Sequence, residues 1–200
     1  MAFENYANIA AVLQAFQIKA TSDRFITPMP LPMRETFQAE IEFSLQEFVI
    51  EESEYSVCET LIFPVLREVY RHHRDRLTLW SHKRIRYDDQ LCGTPDYLIA
   101  QRSPLGKQVL TQPYFATVEA KKDDFTQGWG QCLAQMVALQ RLNAQPEQPV
   151  FGMVSNGQFW QFAHLVHDQF TQELRAYTIS ALPDLLGAVN YVFAHCGAIE

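Results

Sequence analysis

No apolar run in this chain approaches the roughly 18 residues that a membrane-spanning helix requires. The opening Met1-Ala2-Phe3-Glu4-Asn5 lacks the basic-then-apolar order of a secretory signal. No Cys-x-x-Cys pair is present. The cysteines, Cys58, Cys92, Cys132 and Cys196, are scattered and are expected to be reduced thiols, mostly in the core. A cytoplasmic location, with no membrane partner, follows by elimination. Ser103, Ser155 and Ser180 have no Gly-x-Ser-x-Gly setting, which argues against a serine hydrolase. His72-His73 and His164-x-x-His167 lack a cysteine partner at ligand spacing, which argues against zinc. Adjacent histidines point apart on a helix, and an i, i+3 pair on a strand faces opposite ways. No Lys-Ser/Thr follows Gly128-Trp129-Gly130, so this is not a phosphate-binding loop. Trp129 is expected to anchor a helix start, with stacking on a base as the alternative. There is no internal repeat and no low-complexity tract.

What is present is the composition of an ordinary globular protein. The 200 residues are 48% hydrophobic and 20% charged, enough for one domain with a proper core. A net charge of -7 argues against non-specific coating of nucleic acid, which relies on Lys and Arg. It leaves room for a local basic patch, as in Arg67, Arg71, His72, His73, Arg74, Arg76 and then Lys83, Arg84, Arg86. The alternative for that run is a solvated helix end and an exposed strand.

Apolar periodicity predicts a helix over 4–16, from Ile9, Val12, Leu13 and Phe16. Pro28, Pro30 and Pro32 then suggest an extended linker. A second helix is expected over 34–48. A third, over 53–72, should kink or divide at Pro64. The period changes at Leu77 and Leu79, then Ile85 and Tyr87, which suggests strands joined by a turn. Further strands are expected over 94–101, 114–121, 150–155, 159–166 and 173–179. Asn156-Gly157 marks a hairpin. Helices are expected over 126–142 and 182–194, the latter capped by Ser180. The fold class is therefore α/β, a mixed sheet flanked by helices. Residues 1–48 read as an N-terminal helical extension with a Pro-rich linker, and 49–200 as the main domain.

The stretch from Gly93 to Gln135 carries the chemistry. Asp96 follows Pro95 at the start of an apolar strand. Glu119-Ala120-Lys121 closes another. Strand alternation puts Ala116, Val118 and Ala120 on one face and Thr117, Glu119 and Lys121 on the other. Two opposite charges at the end of an apolar strand are costly without partners. Mg²⁺ or Mn²⁺ takes oxygen ligands and keeps several waters, so Asp96 and Glu119 would suffice as carboxylates. Lys121 could then orient the attacking water or offset charge on a phosphate. The bland alternative is a surface ion pair between Glu119 and Lys121.

Pro95-Asp96 and Glu119-Ala120-Lys121 together resemble the motif of the PD-(D/E)xK nuclease superfamily, the restriction-endonuclease-like fold. The segment Gly152 to Phe162 is similar to the hairpin after the motif helix in the nuclease domains of type I restriction-enzyme motor subunits. Glu54, ahead of Leu61 to Leu66, resembles the acid on the first core helix of those domains, with Glu59 and Glu68 as rivals. The resemblance spans about residues 50 to 165. It implies an endonuclease, with DNA favoured, of restriction or repair type. Asp96, Glu119 and the carbonyl of Ala120 would be metal ligands, and Lys121 the catalytic lysine. Gln131 and Gln135, four apart on one helical face, would contact the site; their alternative is plain surface amides. A homodimer would suit cutting of both strands. No helicase segment accompanies the motif. The family also holds members that keep the fold and lose the activity, so a catalytically silent nucleic-acid-binding or assembly module is the second reading.

Overall fold

The computed structural model describes residues 2–197, the side chain of Glu51 apart. It is an α/β protein with a mixed eight-stranded sheet between helices. After a 3-10 turn at Phe3–Asn5 come α1 (Ile9–Phe16) and β1 (Lys19–Asp23). Asn8 caps α1 by accepting the Ala11 amide. A strand here was not expected from sequence. It follows because β1 pairs in parallel with a strand late in the chain, a partner that its exposed KATSD pattern cannot announce. The expected helical extension therefore also supplies an edge of the sheet.

Next is α2 (Glu35–Glu47), whose Phe37 and Ile41 enter the core. A 3-10 turn at Ile50–Glu52 leads into α3 (Glu54–Val57), a π-turn (Cys58–Ile62) and α4 (Phe63–His73). As expected, the helix divides ahead of Pro64, which lies in the first turn of α4. Proline has no amide to donate. The preceding turn widens, with the Phe63 amide donating to the Cys58 carbonyl, five residues back.

Four strands follow: β2 (Leu77–Ser81), β3 (Ile85–Arg86), β4 (Cys92–Gly93) and β5 (Tyr97–Gln101). The Ile85 strand does not return along β2; β3 pairs with β4 in a separate ribbon, while β2 pairs with β5. Then come β6 (Thr111–Ala120), α5 (Phe125–Asn143), β7 (Val150–Ser155), β8 (Phe159–Val166), β9 (Gln169–Glu173) and β10 (Tyr177–Thr178). The strand expected over 173–179 is thus two shorter ones separated by a bend. Ser180 lies in a 3-10 turn (Ile179–Ala181) and bonds Thr178; it does not cap α6 (Leu182–His195).

The sheet order is β1-β9-β8-β7-β6-β5-β2, with β10 beside β8. The β6–β7 pair is parallel, bridged by α5; β5–β6 and β7–β8 are antiparallel. At the β7–β8 hairpin, Gly157 has φ +81°, and Asn156 Oδ1 accepts the Gln158 and Phe159 amides. One face of the sheet packs on α2, α4 and α6 through residues such as Ala116, Val118 and Phe193. The other packs on α1 and α5 through Val12, Leu133 and Val154. No helix among the described residues is long and apolar enough to cross a membrane.

Candidate active site

Strand β6 builds the site. Its small apolar residues Ala116, Val118 and Ala120 are fully buried on the α4/α6 face. Thr117 and Glu119 project to the opposite side, toward α5. There Gln135 bridges them, taking the Thr117 hydroxyl on its carbonyl and donating from Nε2 to Glu119 Oε2 at 2.6 Å. The antiparallel register pairs Tyr97 with Val118, so Asp96, one step earlier, lies beside the end of β6. The Ala120 amide donates to Asp96 Oδ2 at 2.7 Å. Lys121 Nζ lies 3.2 Å from Glu119 Oε1 and 3.4 Å from Glu54 Oε1.

These groups line one cavity of about 560 Å³ between α3, α5 and the strand ends. The structure thus brings together Asp96, Glu119, Lys121, Glu54, Gln131 and Gln135. The middle residue of the triplet, Ala120, enters by its amide bond to Asp96. The three candidates for the helix acid separate cleanly. Glu54 lines the cavity. Glu59 is exposed. Glu68 is buried on α4, where it pairs with Arg34 at 2.9 Å and Arg71 at 3.5 Å. The two glutamines are not surface amides. Both are buried, and Gln131 Oε1 has no hydrogen-bond partner.

The electrostatics of the cavity are unfavourable to its own carboxylates. Burial, then repulsion from Asp96, pushes the Glu119 carboxyl up to about 7, against the pull of Lys121. Burial also raises Asp96, although the Ala120 amide and the charges of His82 and Lys121 act the other way. Lys121 is drawn down by burial, but Glu119, Glu54 and Asp96 more than offset this and hold it above its ordinary value. Cys58, also on the wall, is pushed up to about 12 by burial and by the nearby acids, so it stays a thiol and is a poor nucleophile.

The wall also carries the Cys58 thiol and the His82 imidazole, but the two buried carboxylates suit a hard divalent cation that keeps most of its water. Burial is the main reason that both acids resist ionising, with Asp96 adding repulsion at Glu119. Among the described residues, no group of three His, Cys, Asp or Glu side chains forms a metal cage by itself. Asp96 and Glu119 alone would leave most of the shell of a hard ion such as Mg²⁺ or Mn²⁺ to water.

Sequence reasoning missed His82. It caps the end of β2 at φ +49°, a left-handed backbone that non-glycine residues rarely adopt. Its amide donates to the Asp96 carbonyl at 2.8 Å, and its Nε2 lies 3.4 Å from Asp96 Oδ1. Only the β2–β5 register brings it there, and sequence does not fix that register. Gly128 was also missed. A Cβ at this position would lie 2.7 Å from Lys121 Cγ and 2.9 Å from Val154 Cγ1. The glycine lets the first turn of α5 lie against the lysine.

Two other expectations resolve. Trp129 is an anchor: it is buried, bonds Gln161 through Nε1 and packs on Phe170, so no face is open to a base. The basic run is largely engaged within the protein. Arg76 donates to the carbonyls of Phe193, Ala194 and Cys196 at the end of α6. Arg71 faces Glu68, and Arg67 lies over the Phe63 ring. No protein-family model matches the chain, and no curated protein matches it either.

Proposed function

We propose that this protein is a metal-dependent phosphodiesterase, an endonuclease acting on nucleic acid with DNA as the favoured substrate. The observation that carries the reading is the convergence of Asp96, Glu119 and Lys121 on one cavity, with both carboxylates disfavoured in their charged form. Asp96 and Glu119 would hold Mg²⁺ or Mn²⁺. When bound, such an ion supplies a polarised phosphoryl oxygen and a more acidic water. The cavity walls carry Glu54, Asp96 and Glu119 against Lys121, so an anionic phosphodiester needs a cation there to approach at all.

The remaining steps belong to the side chains. Gln135, fixed by Thr117, holds the Glu119 carboxylate in one orientation. The Ala120 amide does the same for Asp96. Lys121 Nζ, within reach of Glu119, orients the attacking water and steadies the charge that builds on the phosphate. Glu54 keeps that ammonium protonated from the solvent side.

The second reading is a catalytically silent nucleic-acid-binding or assembly module. The favouring observation is that Lys121 already forms ion pairs with two carboxylates. Plasmid nicking with added Mg²⁺ or Mn²⁺ separates the two. Lys121→Ala should fold and bind metal yet lose on the order of a hundred- to a thousand-fold in rate. Lys122→Ala, at an exposed position facing away, should cut like the wild type. If wild type, Lys121→Ala and Lys122→Ala cut equally or not at all, the silent module stands.

A further inference from the structure

We propose a second binding site, at the far end of the sheet, for a small organic cation: an ammonium or amidinium group carried on an apolar or aromatic body. Strand β7 runs from Val150 to Ser155, and its final residue pairs with Ala120 at the candidate active site. The second cavity opens at the other end of that strand, around Pro149 and Phe151, and has a volume of about 480 Å³. That lies within the range of small-molecule pockets, about 300 to 1,000 Å³.

Its walls are aromatic. Phe25 meets the His164 ring edge-on at 4.5 Å between centroids, and Phe151 meets the same ring at 6.2 Å. Tyr191 and His195 lie 4.0 Å apart on α6. Rings in this arrangement offer faces to a cation.

Among its polar groups are two acceptors that call for a donor. Gln148 is buried, and its Oε1 has no hydrogen-bond partner. A buried amide oxygen left in that state calls for a donor. The His195 Nδ1 proton is committed to the Tyr191 carbonyl at 2.8 Å, so in the neutral ring Nε2 presents a lone pair. Burial holds His164 below its ordinary value, which keeps that ring uncharged near neutral pH. Among the described residues no Lys or Arg lines the cavity, and Glu147, exposed at its edge, is the one carboxylate. The described lining therefore offers no fixed positive charge to a phosphate or carboxylate. A neutral hydrocarbon would leave Gln148 Oε1 without a donor. An N–H cation satisfies the amide oxygen, the carboxylate and the ring faces together.

Three probes of one shape test this in the wild-type chain: benzamidinium, benzamide and benzoate, titrated by calorimetry and followed by NMR. Benzamidinium should bind saturably, benzamide at least about tenfold more weakly, and benzoate not at all. The imidazole signals of His164 and His195 should move. Gln148→Leu should weaken benzamidinium about tenfold, as expected for losing a hydrogen bond to a charged donor. Glu147→Gln, at an exposed position that should not disturb folding, should weaken it several-fold and reduce its salt dependence. Equal binding of benzamide and benzamidinium overturns the proposal. So does the absence of saturable binding, unchanged affinity in Glu147→Gln, or shifts confined to the acidic cavity around Glu119. Should Gln148→Leu fail to fold, the probe series and Glu147→Gln decide the matter.

Discussion

Replacing Glu119 with Gln should make the metal-free protein more stable at neutral pH. The wild-type carboxyl is only 7% exposed, faces Asp96, and ionises near 7 where an ordinary glutamate does so at 4.5. Below the unfolded value the group is protonated in both states and costs nothing. As the pH rises from about 4.5 toward 7, the unfolded chain releases the proton while the folded chain keeps it. The unfolded state then binds fewer protons, so stability falls with rising pH. The full separation corresponds to about 3 kcal/mol. Lys121 and Gln135 contact different oxygens of this carboxylate; in the variant Lys121 would keep the amide oxygen, and Gln135 would turn its own carbonyl toward the new NH2. Urea unfolding with chelator, from about pH 5 to about pH 8, should show a falling midpoint for the wild type. Glu119→Gln should have a flatter profile, with the residual slope coming from Asp96. Mn²⁺ should reverse the wild-type loss most strongly at the alkaline end, where the Glu119 carboxylate is ionised and protons no longer compete with the ion. Parallel pH profiles for wild type and Glu119→Gln would refute the reasoning.

Asp96→Asn should largely abolish Mn²⁺ binding in calorimetry while keeping the Ala120 amide bonded through the amide oxygen; equal binding by the variant would remove Asp96 from the ligand set. Gly128→Ala gains about 1 kcal/mol of helix propensity but presses on Lys121 Cγ and the buried Val154 Cγ1, an overpacking cost of roughly 1 to 3 kcal/mol, so thermal stability should fall by up to about 2 kcal/mol while nicking falls at least about tenfold. Arg76→Leu leaves three carbonyls at the end of α6 without their charged donor and should cost roughly 1 to 3 kcal/mol in urea unfolding, with metal binding unchanged.

The central part of the chain was legible because its signals are local. The alternation Ala116-Val118-Ala120 against Thr117-Glu119 states which face each side chain takes, and the structure has those faces. The Asn156-Gly157 turn and the α5 periodicity are likewise written within a few residues. What escaped depends on partners far along the chain. The exposed strand β1 exists only because β9 lies alongside. His82 reaches Asp96 only through the β2–β5 pairing. The π-turn before Pro64 answers a missing amide that sequence reveals, but whether the helix bends, breaks or widens is settled by packing of Leu61, Ile62 and Val65 in the core. Glu54, Glu59 and Glu68 could not be told apart by spacing, since the widened turn changes which face each one occupies.

An ordinary surface ion pair would have left different traces at Glu119 and Lys121. Such a pair is exposed, and each partner favours the charged form of the other. Here the side chains are about 10% exposed, and the acid is raised in spite of the lysine. A second carboxylate, Asp96, is close enough to oppose it. Among the described residues three buried side-chain polar atoms lack a partner, and two of these, Gln131 Oε1 and Gln148 Oε1, line the two cavities. A chain that satisfies its polar groups nearly everywhere else, and keeps repelling acids and an unpartnered amide around one cleft, carries the features expected where folding has yielded to binding. A divalent cation between Asp96 and Glu119 would offset the carboxylate repulsion, which is why the metal-dependent reading is preferred to the silent one.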